Sequence, residues 1–169
     1  MRKTVKFTIF KTKWGYFGLA FADKKLLRTV LPVAKRETVG ELLLKNLPFA
    51  QYDGNLFGAV QKYIADYFEG ECVDFSTLPV ALDGFSVFAK RVLTACRGIG
   101  FGQTVTYGRL AKMAGKPGAA RAVGRVLAKN PLPLIIPCHR VICSDGSLGG
   151  FSTTGGVSLK KRMLKLEAS

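Results

Sequence analysis

The sequence reads as two domains: an α/β N-terminal domain, made of a short antiparallel sheet with helices, and a mostly α C-terminal domain containing a helix-turn-helix. Three observations carry this reading. Residues 3–32 alternate strand-like patches with turn signals. From Gly84 the pattern changes to helical periodicity. Between the two, Glu71 to Leu82 reads as extended, with Pro79 marking a linker, so the boundary is placed near residue 80, giving domains 1–80 and 81–169. A length of 169 residues suits one or two small domains, and 48% hydrophobic residues are enough for a core.

Taken in order, Val5 to Phe10 alternates apolar and polar residues, and Gly15 breaks the chain lightly. Tyr16 to Phe21 is aromatic and apolar, Asp23-Lys24-Lys25 suggests a hairpin turn, and Leu26 to Leu31 returns. Together these give a three-stranded antiparallel meander that Pro32 ends. Thr38 to Leu47 predicts a helix with Val39, Leu42, Leu43 and Leu47 on one face, stopped by Pro48. Asn55 to Phe68 predicts a second, on which Leu56, Val60, Ile64 and Phe68 recur every fourth residue and Gly70 caps the end. Phe85, Phe88, Val92 and Leu93 predict a helix ending at Arg97-Gly98, and Ile99 to Gln103 reads as a flexible glycine-rich connection. Thr106 is placed to cap a helix from Tyr107 to Ala114, with Leu110 and Met113 inward. After the turn Gly115-Lys116-Pro117-Gly118, a second helix runs from Ala119 to Lys129 with Val123, Val126 and Leu127 as its apolar seam.

Charge is unevenly spread. Residues 1–83 hold 12 Lys+Arg and 9 Asp+Glu, or +3, whereas residues 84–169 hold 14 against only Asp145 and Glu167, or +12. A basic half of this kind suits a polyanion, most simply nucleic acid. On the helix 119–129, Arg121, Arg125 and Lys129 fall on one face at i, i+4 and i+8, with Ala119, Ala120, Ala122 and Gly124 between them. Small residues on a basic face let a backbone approach a DNA groove closely; a solvated basic face is the plainer alternative.

No run of eighteen apolar residues is present, so no membrane span is expected. The charged start, Met1-Arg2-Lys3-Thr4, is followed by no apolar signal region, which leads us to expect a cytoplasmic protein, or a nuclear one in a eukaryote. The four cysteines form no CxxC and there is one histidine, so no metal and no cofactor are expected. Reduced thiols are the default, with a Cys72–Cys96 disulfide as the alternative.

The chemistry concentrates in Leu134-Ile135-Ile136-Pro137-Cys138-His139-Arg140-Val141-Ile142, which reads as a buried strand or packed loop. A thiol attacks as the thiolate, whose pKa is ordinarily about 8.5, so a neighbouring base is needed, and His139 is the only histidine. On an extended chain the two side chains point apart, so a turn or a bridging water must connect them. A buried structural cysteine beside a hydrogen-bonded histidine is the alternative.

These residues, with Asn130-Pro131 and the upstream Ala-Ala-Arg-Ala-Val-Gly run at 119–124, resemble the O6-alkylguanine-DNA alkyltransferases over about residues 84–167. The resemblance implies a monomer that needs no cofactor and binds double-stranded DNA carrying O6-alkylguanine through the minor groove. It flips the damaged base and transfers the alkyl group once, irreversibly, to Cys138. It further implies His139 as base through water, Glu167 orienting His139, Asn130 bracing the turn, and Tyr107 crowding the phosphate and helping to protonate the leaving guanine. Arg121 would fill the gap left by the flipped base, with Ala120, Gly124, Arg125 and Lys129 on the DNA face. Val141 and Cys138 would offer backbone carbonyls to the guanine amino group, and Ser152 would meet the guanine oxygen. Leu127, Pro133 and Phe151 would form apolar walls, and Arg140 would brace the loop. Phe151 stands where the family commonly has tyrosine, and Leu127 where some relatives have methionine. A lesion-binding protein without transfer and an unrelated Cys-His hydrolase are the competing functions.

Overall fold

The computed structural model describes residues 3–169; Met1 and Arg2, the start of the charged N-terminus, lie outside them. The chain divides into two compact units, one of residues up to Val73 with Thr77–Ala81, the other of Asp74–Ser76 with Leu82–Ser169.

In the first unit, strands β1 (Val5–Thr12), β2 (Gly15–Ala22) and β3 (Lys25–Val33) form the expected antiparallel meander. The β2–β3 turn holds Asp23 and Lys24 at φ 51° and 63°, the left-handed pair that a two-residue hairpin requires. Pro32 does not end the third strand. Tyr16 still pairs with Val33, because β3 is an edge strand, where a residue without an N–H is tolerated. A fourth strand, β4 (Gln51–Tyr52), lies parallel to β1 and makes the sheet mixed, in the order β3-β2-β1-β4.

Helix α1 (Arg36–Leu44) starts and stops earlier than the sequence suggests. Val39 and Leu43 pack with Ile9 and Ala20, but Leu42 is 40% exposed. Helix α2 (Gly58–Phe68) lacks the predicted first turn, since residues 53–57 are spent on tight turns that carry Phe57 to φ 49°. At its end the Gly70 N–H reaches Tyr67 O and the Glu71 N–H reaches Asp66 O, a glycine-terminated cap. Phe10, Phe17, Phe68 and Trp14 pack in series with tilted rings, and Phe17 and Phe68 are buried. With α1 side chains also packed on Gly18, β2 is covered on both faces, which is why its sequence does not alternate.

The second unit is built on α3 (Val87–Arg97), α4 (Tyr107–Met113), α5 (Ala120–Ala128) and α6 (Gly156–Ala168). Ser86 caps α3 by accepting from Ala89 N, and Thr106 caps α4 by accepting from Arg109 N. Leu110 is buried as expected, but Met113 is 49% exposed, and Ala111 and Ala114 face inward in its place. Val123 and Leu127 seat α5, with Val126 half-buried. A two-stranded parallel ladder that the sequence does not suggest, β5 (Val105–Thr106) with β6 (Val141–Ile142), fixes the start of α4 beside the end of the cysteine segment. No helix among the described residues is long and apolar enough to cross a membrane.

Candidate active site

Residues 132–141 are all buried. Cys138–Arg140 form a single turn of 3-10 helix and Val141 opens β6, so the segment is neither wholly strand nor wholly loop. The turn is held from behind. Asn130 donates its Nδ2 to Ile136 O at 2.9 Å and accepts from Leu132 N at 2.9 Å, bridging the end of α5 to the cysteine segment. Pro137 O accepts from Arg140 N, which closes the turn.

Behind the turn stands one carboxylate. Glu167, on α6, is buried rather than an exposed residue near the C-terminus. Its Oε1 lies 2.6 Å from His139 Nε2 and accepts from Arg140 Nη2 at 2.9 Å, while Oε2 accepts from Arg140 Nε at 2.9 Å and from Gly102 N at 3.2 Å. Arg140 also donates Nη1 to Ile99 O at 2.6 Å. The glycine-rich connection 99–103 is therefore tied into the site rather than merely flexible. An ionised carboxylate can only accept, so Nε2 of His139 carries the proton and Nδ1 is the basic nitrogen. Burial, above all, holds His139 below its ordinary range. Glu167 opposes that shift, but its charge is already matched by Arg140.

In front of the turn lies a cavity of about 550 Å³, a size suited to a small organic group. Its lining contains Cys138, Tyr107, Ala120, Arg121, Gly124, Leu127, Asn130, Pro133, Phe151 and Ser152. The structure thus brings ten of the sequence-derived residues around one space. His139 and Glu167 stand behind it. Val141 is outside the lining, and its carbonyl accepts from Lys160 Nζ at 2.6 Å. Arg125 and Lys129 line a separate hollow, beside Ser86 and Phe88 at the start of α3.

Burial pushes the Cys138 thiol above its usual range, while the Asn130 side chain, the charge of Lys160 and the backbone N–H groups of Cys138 and His139 pull it back. Burial likewise raises Tyr107, with three nearby cysteines adding to the shift, so its hydroxyl stays protonated near neutral pH. All four cysteines are unbridged thiols.

Sequence reasoning missed Lys160, Cys143, Gly149 and Gly150. The last three line the cavity. Gly149 sits at φ 72°, and an added Cβ would stand 3.0 Å from Tyr107 Oη and 3.3 Å from Cys143 Sγ, so only glycine fits. The Ser147-Leu148-Gly149-Gly150 run before Phe151 was the available signal for a close backbone approach.

Residues 87–169 match the family model described as "6-O-methylguanine DNA methyltransferase, DNA binding domain". A methylated-DNA–protein-cysteine methyltransferase of Metallosphaera sedula is 43% identical over 117 residues, which are 69% of this chain and 71% of that protein. The protein of the same name from Salmonella typhimurium is 43% identical over 110 residues, or 65% of this chain, and the match spans 63% of that protein's length. The crystal structure of Mycobacterium tuberculosis OGT in complex with DNA superposes with a TM-score of 0.80 at 32% identity, covering 96% of this chain and 92% of that one. With a family model running through the cysteine segment, this identity to a curated relative and this structural likeness over nearly the whole chain, the protein belongs to the methylated-DNA–protein-cysteine methyltransferase family.

Proposed function

We propose that Cys138 accepts the alkyl group of an O6-alkylguanine turned out of duplex DNA into the cavity in front of it. The observation that carries this is the shared lining: Cys138 and, from the basic helix α5, Arg121 and Gly124 bound the same space. A base buried in the stack is out of a sulfur's reach, so it must leave the duplex, and unstacking costs a few kcal/mol that a side chain filling the gap offsets. Arg121, exposed at the start of α5, takes that role from the minor-groove side. Ala120 and Gly124 allow close approach, and Arg125 and Lys129 meet backbone phosphates. The protein acts as a monomer, and this chemistry resides in residues 81–169.

The reaction needs no cofactor. His139 Nδ1 takes the thiol proton through a water while Glu167 and Asn130 hold the ring and the turn in place. The thiolate forms a bond to the alkyl carbon as the carbon–O6 bond breaks, and the electron pair departs onto the guanine. Tyr107, kept protonated, donates a hydrogen bond to that developing negative charge. The thiol proton ends on guanine, and the thioether remains on the protein, so each molecule reacts once. Phe151, Leu127 and Pro133 clamp the base, Ser152 meets its oxygen, and Cys138 O with the second lone pair of Val141 O takes its amino group.

The test is incubation with duplex DNA carrying radiolabelled O6-methylguanine. Label should move to protein up to one equivalent, and Cys138→Ala should abolish transfer while leaving DNA binding intact. Binding without transfer would mark a lesion-binding protein, and repeated turnover would mark a hydrolase. Either outcome overturns the reading.

A further inference from the structure

Residues 84–169 hold fourteen Lys and Arg, and the site described above uses few of them. Arg121, Arg125 and Lys129 belong to the DNA-facing side of α5, and Arg140 and Lys160 are buried, which leaves nine. The two acids of the stretch are engaged elsewhere. Glu167 is buried against Arg140, and Asp145 accepts from Ser147 within its own turn. Lys90 and Arg91, both exposed on α3, make no ion pair among the described residues.

These two cations line a hollow of about 530 Å³ between α3 and the end of α4, together with Thr94, Met113 and Gly115. Arg91 reaches across it, since its Nη1 comes within 3.9 Å of the point where a Cβ on Gly115 would stand. Lys112 is exposed beside Met113 in the last turn of α4, and Met113, 49% exposed, gives the basic hollow an apolar patch. Each residue advances a helix by about 100°, so Lys90, Arg91 and Thr94 stand on a different side of α3 from Phe88 and Ala89. Phe88 and Ala89 line the other hollow, with Arg125 and Lys129 of α5. Two basic surfaces are therefore set on two faces of one helix.

Clustered like charge without an acid adds self-repulsion to the folded state, and a polyanion relieves it. Lys, Arg and Thr donate to phosphate oxygens, and such contacts hold a duplex without reading its sequence. DNA is the polyanion that this unit binds, and a long DNA presents further segments close to the bound one at high effective concentration. We propose that the α3–α4 hollow is a second DNA contact. It takes the phosphate backbone of another duplex segment while α5 holds the first, so the protein passes between segments without first being free. The proposal rests on α5 as the DNA-facing helix, and not on alkyl transfer to Cys138.

The experiment is dissociation of the full chain from a short fluorescein-labelled duplex of undamaged DNA, followed by stopped flow against rising concentrations of unlabelled duplex. A protein with one DNA surface must let go before it rebinds, so its rate stays level once competitor is in excess. With two surfaces the observed rate should climb in proportion to competitor. Lys90→Gln/Arg91→Gln should abolish the climb and keep the wild-type rate at the zero-competitor limit. Lys161→Gln/Lys165→Gln, which removes the same charge from the exposed side of α6, should keep the climb. A climb undiminished in the α3 variant, or lost equally in both variants, overturns the proposal. So does a level wild-type profile, the result expected of a hollow reserved for an acidic protein, and that arm decides even if a variant does not fold. Methyl transfer is scored separately. A level profile in a protein that still takes one equivalent of label leaves the Cys138 reading standing, and a climbing profile without label sinks that reading alone.

Discussion

Helices α5 and α6 are both basic, yet α5 keeps Arg121 and Arg125 in solvent, whereas α6 buries Lys160 and Glu167 and exposes Lys161, Arg162 and Lys165. On α5 the exposed charge is available to an external polyanion and is screened by salt. On α6 the buried charges are fixed by hydrogen bonds, Glu167 to the cysteine turn and Lys160 to the carbonyls of Val141 and Gly150, and salt cannot reach them. On the proposed function the two helices serve different steps, α5 meeting DNA at the cavity and α6 holding the cysteine turn from behind through Glu167. Substitutions on the two helices should therefore fail in different ways.

The largest difference should come from Glu167→Ala. Removing the carboxylate leaves buried Arg140 without its ion-pair partner and His139 without its orienting acceptor. Breaking a buried pair in this way costs about 3–5 kcal/mol, read from urea unfolding, and methyl transfer should fall with it. Arg125→Ala, in solvent on α5, should stay within about 0.5 kcal/mol of wild type in the same assay. Equal stabilities would erase the distinction between the helices.

A smaller effect follows from His139. Its folded pKa lies below the ordinary 6.5, chiefly through burial. Below pH 6.5 the unfolded chain binds a proton that the folded chain refuses, so the unfolded state holds more protons and stability falls with pH. The contribution is complete above 6.5, declines as the pH drops toward the folded value, and is flat beneath it. Because the chain has a single histidine, this window is unusually clean. Urea midpoints between pH 7.5 and 5 should show a slope that vanishes in His139→Gln; a slope unchanged in the variant would assign it to other groups.

On α5 the readout is DNA. Arg125→Ala should weaken binding to all duplexes alike and lower the slope of log affinity against log salt by about 1. Arg121→Ala should slow transfer from duplex by about tenfold but spare transfer from single strands, where no base has to be unstacked. If the two arginines behaved alike, Arg121 would be only another phosphate contact.

Much of this was legible in the sequence for a physical reason. A Cys-His-Arg triplet inside an apolar segment, and a basic residue at every fourth position of a helix, are local patterns that burial and periodicity expose. The hairpin at Asp23-Lys24 and the cap at Thr106 are local too. What stayed hidden depends on distant partners. β4 and the β5–β6 ladder are two residues long per strand and exist only through pairing with remote chain. Lys160 opens the run Lys160-Lys161-Arg162, which by composition is a solvated helix face, and only the fold shows that its first member points inward. Gly102 looked like slack in a connection until its N–H was found on Glu167.

The finest test of the comparison is Gly124, in the middle of α5. Glycine in a helix interior is less favourable than alanine by about 0.5–1 kcal/mol, so its presence there asks for a reason. Internal crowding is not that reason, because an added Cβ would meet nothing nearer than Tyr107 Cε1 at 4.0 Å, an ordinary contact. If the bare backbone is there to admit DNA, Gly124→Ala should raise stability by about 0.5–1 kcal/mol with transfer little changed. Gly124→Leu should keep most of the helix gain yet lose transfer from duplex DNA, because its side chain fills the space between α5 and the groove. A leucine variant that repaired DNA at the wild-type rate would show that the smooth face of α5 is not where DNA lies, whatever its charges suggest.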